Sequence, residues 1–177
     1  ALLGVARASI RHGLEHESSL RVDPERFSAR LREPGACFVT LRCSGRLRGC
    51  VGSLEATRSL VEDVAHNAFA SAFRDSRFPP LTEEEERAGL EVHLSILTSP
   101  EALPCRSEAE LLSKLRPGID GLILQDGPYR ATFLPSVWES LAEPKKFLAE
   151  LKRKAGLSED HWSDGIRFQR YRTESVE

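Results

Sequence analysis

Two glycine-containing turns constrain this chain more than any other feature. Ser44-Gly45 stands between residues 36–43 and 46–52, and Asp126-Gly127 stands between residues 121–125 and 129–134. The flanking segments are short and rich in aliphatic, aromatic and β-branched residues, so each pair reads as an antiparallel hairpin closed by a tight turn. Residues 90–97 alternate, with Leu90, Val92, Leu94 and Ile96 on one face and Glu91, His93 and Ser95 on the other. That is the pattern of a strand with one buried side. Residues 165–171 read as a final strand.

Helices fill the intervals. Residues 2–17 form the first, and Asp23-Pro24 opens a short second one, with Asp placed to cap and Pro at the first helical position, before Pro34-Gly35 ends that region. Ser59 followed by Glu62 is a capping-box pattern; Leu60, Val61, Val64, Ala65, Ala68, Phe69, Ala72 and Phe73 then recur at helical spacing until Pro79-Pro80. The acidic run 83–86 fits a short solvated helix or turn. Ser107 with Glu110 and Ser136 with Glu139 open two more helices, the second carrying Trp138. Residues 145–155 form the last, ended by Gly156. Its apolar side, Phe147, Leu148 and Leu151, would leave Lys145, Lys146, Lys152, Arg153 and Lys154 in solvent. Hairpins interleaved with helices, without the regular period of a doubly wound sheet, predict an α+β fold.

Composition narrows the function classes. The 177 residues contain no repeat and no Gly/Ser linker, so one domain over 1–177 is expected. With 25 Lys+Arg against 27 Asp+Glu and a pI near 6.3, the chain lacks the concentrated basic surface of a nucleic-acid binder. No apolar run approaches the roughly 20 residues that span a bilayer, and no secretory leader pattern opens the chain. Cys37, Cys43, Cys50 and Cys105 are too few and too scattered for a disulfide framework. A reducing, cytoplasmic setting is therefore expected.

Candidate chemistry concentrates in the first hairpin. A two-residue turn sets Cys43 opposite Arg46, Leu41 opposite Arg48 and Val39 opposite Cys50, which predicts that Arg48 and Cys50 share a face with Val39 and Leu41. Gly49 and Gly52 would let backbone or a ligand approach closely. A nearby guanidinium favours thiolate, the nucleophilic form of cysteine. The same residues also read as a packed thiol, a surface cation and glycines relieving a bulge. Glu91, His93 and Ser95 could complete a Cys50–His93–Glu91 relay, or simply form the solvent side of a sheet. His66, on the strongest helix, is a second candidate base.

Metal and cofactor signals are thin. His12-Gly13-Leu14-Glu15-His16 matches an inverted zinc-peptidase pattern, but Gly13 weakens the helix and no third ligand is identifiable. Cys37, Cys43 and Cys50 lack iron–sulfur spacing. There is no phosphate-binding glycine loop and no nucleophile elbow. No cofactor is expected.

The hexapeptide LRGCVG at 47–52 resembles the LRGCIG signature of the AMMECR domain family. DSRFPPL at 75–81, the strand 91–97, DGLIL at 120–124, TFLPSVWE at 132–139 and the tail through Trp162 follow in the family's order. Within the family the chain is most similar to the bacterial AmmeMemoRadiSam system protein A branch. Val51 stands where the signature more often has Ile, and Ser136 where several relatives have Gln.

The resemblance implies an α+β domain with a larger and a smaller lobe, a cleft near the signature hairpin, and association with a Memo-like protein and a radical-SAM protein. Any iron or S-adenosylmethionine chemistry would then reside in those partners. It implies Arg48, Gly49, Cys50, Asp75, Arg77, Glu91 and Ser95 as site residues, and supplies no reaction. Two classes follow. In one, a small cytosolic enzyme uses Cys50, made thiolate by Arg48 or Arg77, to attack or carry an unidentified small-molecule substrate while Glu91 handles protons. In the other, Arg48, Gly49, Asp75, Arg77 and Ser95 belong to a binding surface on a non-catalytic accessory protein.

Overall fold

A computed structural model describes residues 1–177. In chain order the elements are α1 (Leu2–His16), α2 (Ala29–Arg32), β1 (Cys37–Cys43), β2 (Arg46–Gly52), α3 (Leu60–Phe73), α4 (Glu83–Arg87), β3 (Leu90–Leu97), β4 (Glu101–Ala102), α5 (Glu108–Lys114), β5 (Gly121–Asp126), β6 (Tyr129–Phe133), α6 (Pro144–Lys154), β7 (Arg167–Tyr171) and β8 (Thr173–Val176). They build two antiparallel arrangements with interleaved helices, so the fold is α+β as the hairpin pattern predicts. No helix is long and apolar enough to cross a membrane.

The chain divides into a larger unit, Ala1–Leu97 with Glu174–Glu177, and a smaller one, Thr98–Thr173. The larger unit carries a sheet ordered β2-β1-β3-β8. Ser44 and Gly45 both adopt positive φ, 49° and 73°, so the two-residue turn has the twist that antiparallel strands require. Cys37, Val39, Leu41, Leu90, Val92 and Leu94 are buried and join α1 and α3 residues in one core. The Ser59–Glu62 capping box that starts α3 forms in full. Thr82 and Glu85 make a second box on α4, which spans the acidic run. Burial of that hydrophobic cluster, at roughly 25 cal/mol per Å² of apolar surface, is what holds the helices to the sheet.

The smaller unit carries a sheet ordered β4-β7-β5-β6. Its core gathers Leu111, Leu122, Leu124, Trp138, Phe147, Leu148, Leu151 and Phe168. The Trp138 and Phe147 rings stack with centroids 3.8 Å apart, and the Trp138 indole N–H donates to the Asp120 carbonyl at 2.7 Å.

Four local expectations change. Residues 135–139 form a 3₁₀ turn without a Ser136 cap, because Pro135 starts it at Leu134 and Trp138 is drawn into the core after a single turn. Lys152 is buried, not solvated: its ammonium donates to the Glu108 carboxylate at 2.7 Å and to the Glu159 carbonyl at 3.1 Å. The second hairpin turns at Gly127-Pro128, with Asp126 paired to Tyr129. The short strands β4 and β8 lie outside the sequence expectations.

Candidate functional site

The signature hairpin begins in the expected register, Cys43 opposite Arg46 and Arg42 opposite Leu47, and then shifts: Leu41 pairs Gly49, Thr40 pairs Cys50 and Val39 pairs Val51. Arg48 is the extra residue of a β-bulge. The expected facing of Arg48 to Leu41 and Cys50 to Val39 is therefore displaced by one residue, which puts every side chain beyond the bulge on the other face. Cys50 stands with Thr40, away from the Val39–Leu41 core face.

Each residue of the signature has a defined partner. The Arg48 guanidinium is buried and donates to both carboxylate oxygens of Glu85, at 2.7 and 3.0 Å, and to the Pro79 carbonyl at 2.9 Å. This bidentate pair holds the Glu85 carboxyl down to about 2. One guanidinium nitrogen of Arg48, Nη1, is buried without a partner. At Gly49 the backbone of α3 presses in: a Cβ there would stand 2.0 Å from the Ser71 carbonyl oxygen. The Ser71 hydroxyl accepts the Val51 N–H at 2.9 Å and donates to the Val39 carbonyl at 2.8 Å, bridging β1 and β2.

β2 is an edge strand, and its outward Cys50 N–H is taken by the Asp75 carboxylate at 2.9 Å. Arg77 clamps Asp75 through its backbone N–H at 3.1 Å, Nε at 3.0 Å and Nη2 at 2.7 Å, and Nη2 also reaches the Cys50 carbonyl at 3.4 Å. The Arg77 hydrogen bonds, with help from the Cys50 N–H, hold the Asp75 carboxyl far below the usual carboxylate range. Such a clamp blunts an exposed strand edge.

The other sheet face is polar. Thr40 Oγ1 lies 3.3 Å from Cys50 Sγ, and Thr40 pairs His93 across β1 and β3. Cys50, Thr40 and His93 thus form one row over three strands, flanked by Glu91 opposite Arg42 and Ser95 opposite Phe38. His93 sits 3.7 Å from Glu91 and 3.4 Å from Glu177, while its Nε2 is buried without a hydrogen-bond partner. Cys50 and His93 are two strand spacings apart, about 10 Å, so no direct thiol–imidazole bond forms. His66 lies on the outer side of α3, where partial desolvation of the ring and the nearby Arg58 charge push its proton affinity down.

The remaining thiols are unsuited to nucleophilic work. Burial pushes Cys37 far up, assisted by Asp63, and burial also raises Cys43 and Cys105. No group of three or more His, Cys, Asp or Glu side chains is placed to hold a metal ion.

The structure places Arg48, Gly49, Cys50, Asp75 and Arg77 around one strand edge and adds Glu85, Thr40 and Ser71, which the sequence reading does not name. The signal for Ser71 was present. Asp63, Asn67 and Ser71 recur every fourth position on α3 and are all buried, with Asp63 accepting the Cys37 N–H and the Ser53 hydroxyl. Polar residues at helical spacing inside an apolar helix mark a seam that bonds to strands.

The comparisons with known proteins agree on one assignment. The AMMECR1 family model matches residues 3–176. A protein of Methanothermobacter thermautotrophicus is 37% identical over 166 residues, covering 92% of this chain and 84% of the relative. Protein MJ0810 of Methanocaldococcus jannaschii is 35% identical over 176 residues, covering 97% and 86%. Among solved structures, an uncharacterised protein of Pyrococcus horikoshii, PH0010, is similar with a TM-score of 0.87 at 33% identity, over 98% of this chain and 88% of that one. The signature hairpin, its bulge and the strand-edge clamp are therefore those of a member of the AMMECR1 family, to which this chain belongs.

Proposed function

We propose that this protein works by binding and not by thiol catalysis, as a cytoplasmic accessory protein of the AmmeMemoRadiSam system protein A branch acting beside Memo-like and radical-SAM partners. One observation carries the reading: the guanidinium charges of both candidate arginines are already matched, Arg48 by Glu85 and Arg77, the one beside Cys50, by Asp75. An activated thiol needs an uncommitted cation or a base within reach, and here neither is in contact with Sγ. What the hairpin does offer is a rigid frame beside a half-buried row of thiol, hydroxyl and imidazole, with Ser95 and Glu91 next to it. Such convergent polar groups suit a small polar ligand.

The 3.3 Å contact of Thr40 with Cys50 favours one alternative, in which the hydroxyl orients Sγ as a nucleophile and Glu91 handles protons. Mixing the protein with the purified partners separates the two. The binding reading expects a complex by light scattering, retained by Cys50→Ser and weakened by about tenfold in Thr40→Arg, which fills the polar row. It also expects the intact mass of the recovered chain to be unchanged. No complex, or a covalent adduct on Cys50 after incubation, overturns it.

A further inference from the structure

The smaller unit contains a cavity of about 400 Å³ lined by Thr98, Ser99, Glu101, Arg116, Arg170, Tyr171 and Arg172. Three guanidiniums in one cavity repel one another unless anions answer them. Arg116 is held in place: its backbone N–H, Nε and Nη2 all donate to the fully buried Asp120 carboxylate, which leaves Nη1 outside that pair. Glu101 pairs Arg170 across β4 and β7, yet its Oε2 stays 3.7 Å from Arg170 Nε, beyond hydrogen-bond distance, and its side chain is 74% exposed. Arg170 Nε is itself buried, with Glu101 as an ion-pair partner but no acceptor within hydrogen-bond distance, while the rest of the side chain is partly exposed.

The rest of the lining is also donor-rich. Thr98 Oγ1 accepts the Arg172 N–H at 2.9 Å, so its own hydroxyl hydrogen is free to point elsewhere. The Thr98 N–H returns a bond to the Arg172 carbonyl at 2.9 Å, which fixes Arg172 at the rim while its guanidinium stays exposed.

We propose that this cavity is a binding site for a phosphate-bearing small molecule. A phosphate dianion presents three oxygens to planar guanidinium forks, which matches the surplus of donors, whereas a carboxylate presents two oxygens and one charge. The site is separate from the signature hairpin and stands or falls independently of its function.

Calorimetric titration of the full chain with inorganic phosphate, phenyl phosphate and acetate, in low-chloride buffer, tests it. The expected result is saturable one-to-one binding of inorganic and phenyl phosphate, with acetate weaker by about tenfold or more. Arg172→Gln, an exposed change that leaves the fold intact, weakens phosphate binding by about tenfold, and adding Arg170→Gln weakens it further. Arg87→Gln, which removes the same charge from α4, leaves it unchanged. Absence of saturable phenyl phosphate binding, equal affinity for acetate, or undiminished binding in the Arg170→Gln/Arg172→Gln variant would overturn the proposal.

Discussion

Gly49 and Ser71 meet backbone to backbone: any Cβ on the strand residue would stand 2.0 Å from the helix carbonyl oxygen. Neither atom belongs to a flexible side chain, so relief requires α3 to move off β2. Gly49→Ala is expected to cost about 3 kcal/mol or more, at the upper end of overpacking penalties. Denaturant unfolding monitored by far-UV circular dichroism measures it. The Ser71 hydroxyl is a smaller test of the same seam. Ser71→Ala removes the bridge between Val51 and Val39 and should cost about 1–2 kcal/mol.

Arg48 and Glu85 form a bidentate charge pair at the hairpin, with the guanidinium buried and the carboxylate partly so. Glu85→Ala leaves the Arg48 charge buried beside Pro79 and is expected to cost about 3 kcal/mol.

The pair also sets an acid limit. The Glu85 carboxyl lies at about 2 in the folded chain against an ordinary 4.5, so its contribution is present above pH 4.5 and lost as pH falls toward 2. Asp75 is depressed in the same direction. A Glu85→Gln variant should show a shallower loss of stability across that window than the unsubstituted chain, in urea titrations at successive pH values.

Lys152 and Glu108 test the opposite asymmetry. Breaking the pair by Glu108→Ala strands a fully buried ammonium and should cost about 3–4 kcal/mol, whereas the double change Glu108→Leu/Lys152→Met removes both charges and should recover most of it. Thermal unfolding of the three chains decides this.

What was legible in the residues was local. The alternation of 90–97 delimits β3 to the residue, and Ser59–Glu62 and Ser44-Gly45 are self-contained signals read within a few positions. What was hidden depends on distant partners. The bulge that moves Cys50 to the Thr40 face exists because Arg48 reaches Glu85, 37 positions away. Lys152 looks like a solvated lysine until Glu108, 44 positions away, is placed against it. β4 is two residues long and β8 four, too short for any periodicity to register. The residue types pointed to a cation beside a thiol, while the pairing that forms, cation to carboxylate, required the tertiary structure.

The central claim is that Cys50 is a framed binding group and not an activated nucleophile. Its most direct test is the second-order rate of iodoacetamide alkylation of each cysteine in the native chain, resolved by peptide mass spectrometry. Cys50 should label ahead of Cys37, Cys43 and Cys105, whose thiols burial pushes up. Its rate should not exceed that of an unstructured cysteine peptide at the same pH. A Cys50 that reacts about tenfold faster than the peptide at neutral pH, and loses that advantage in Arg77→Gln, would contradict the account and make the thiol the working centre.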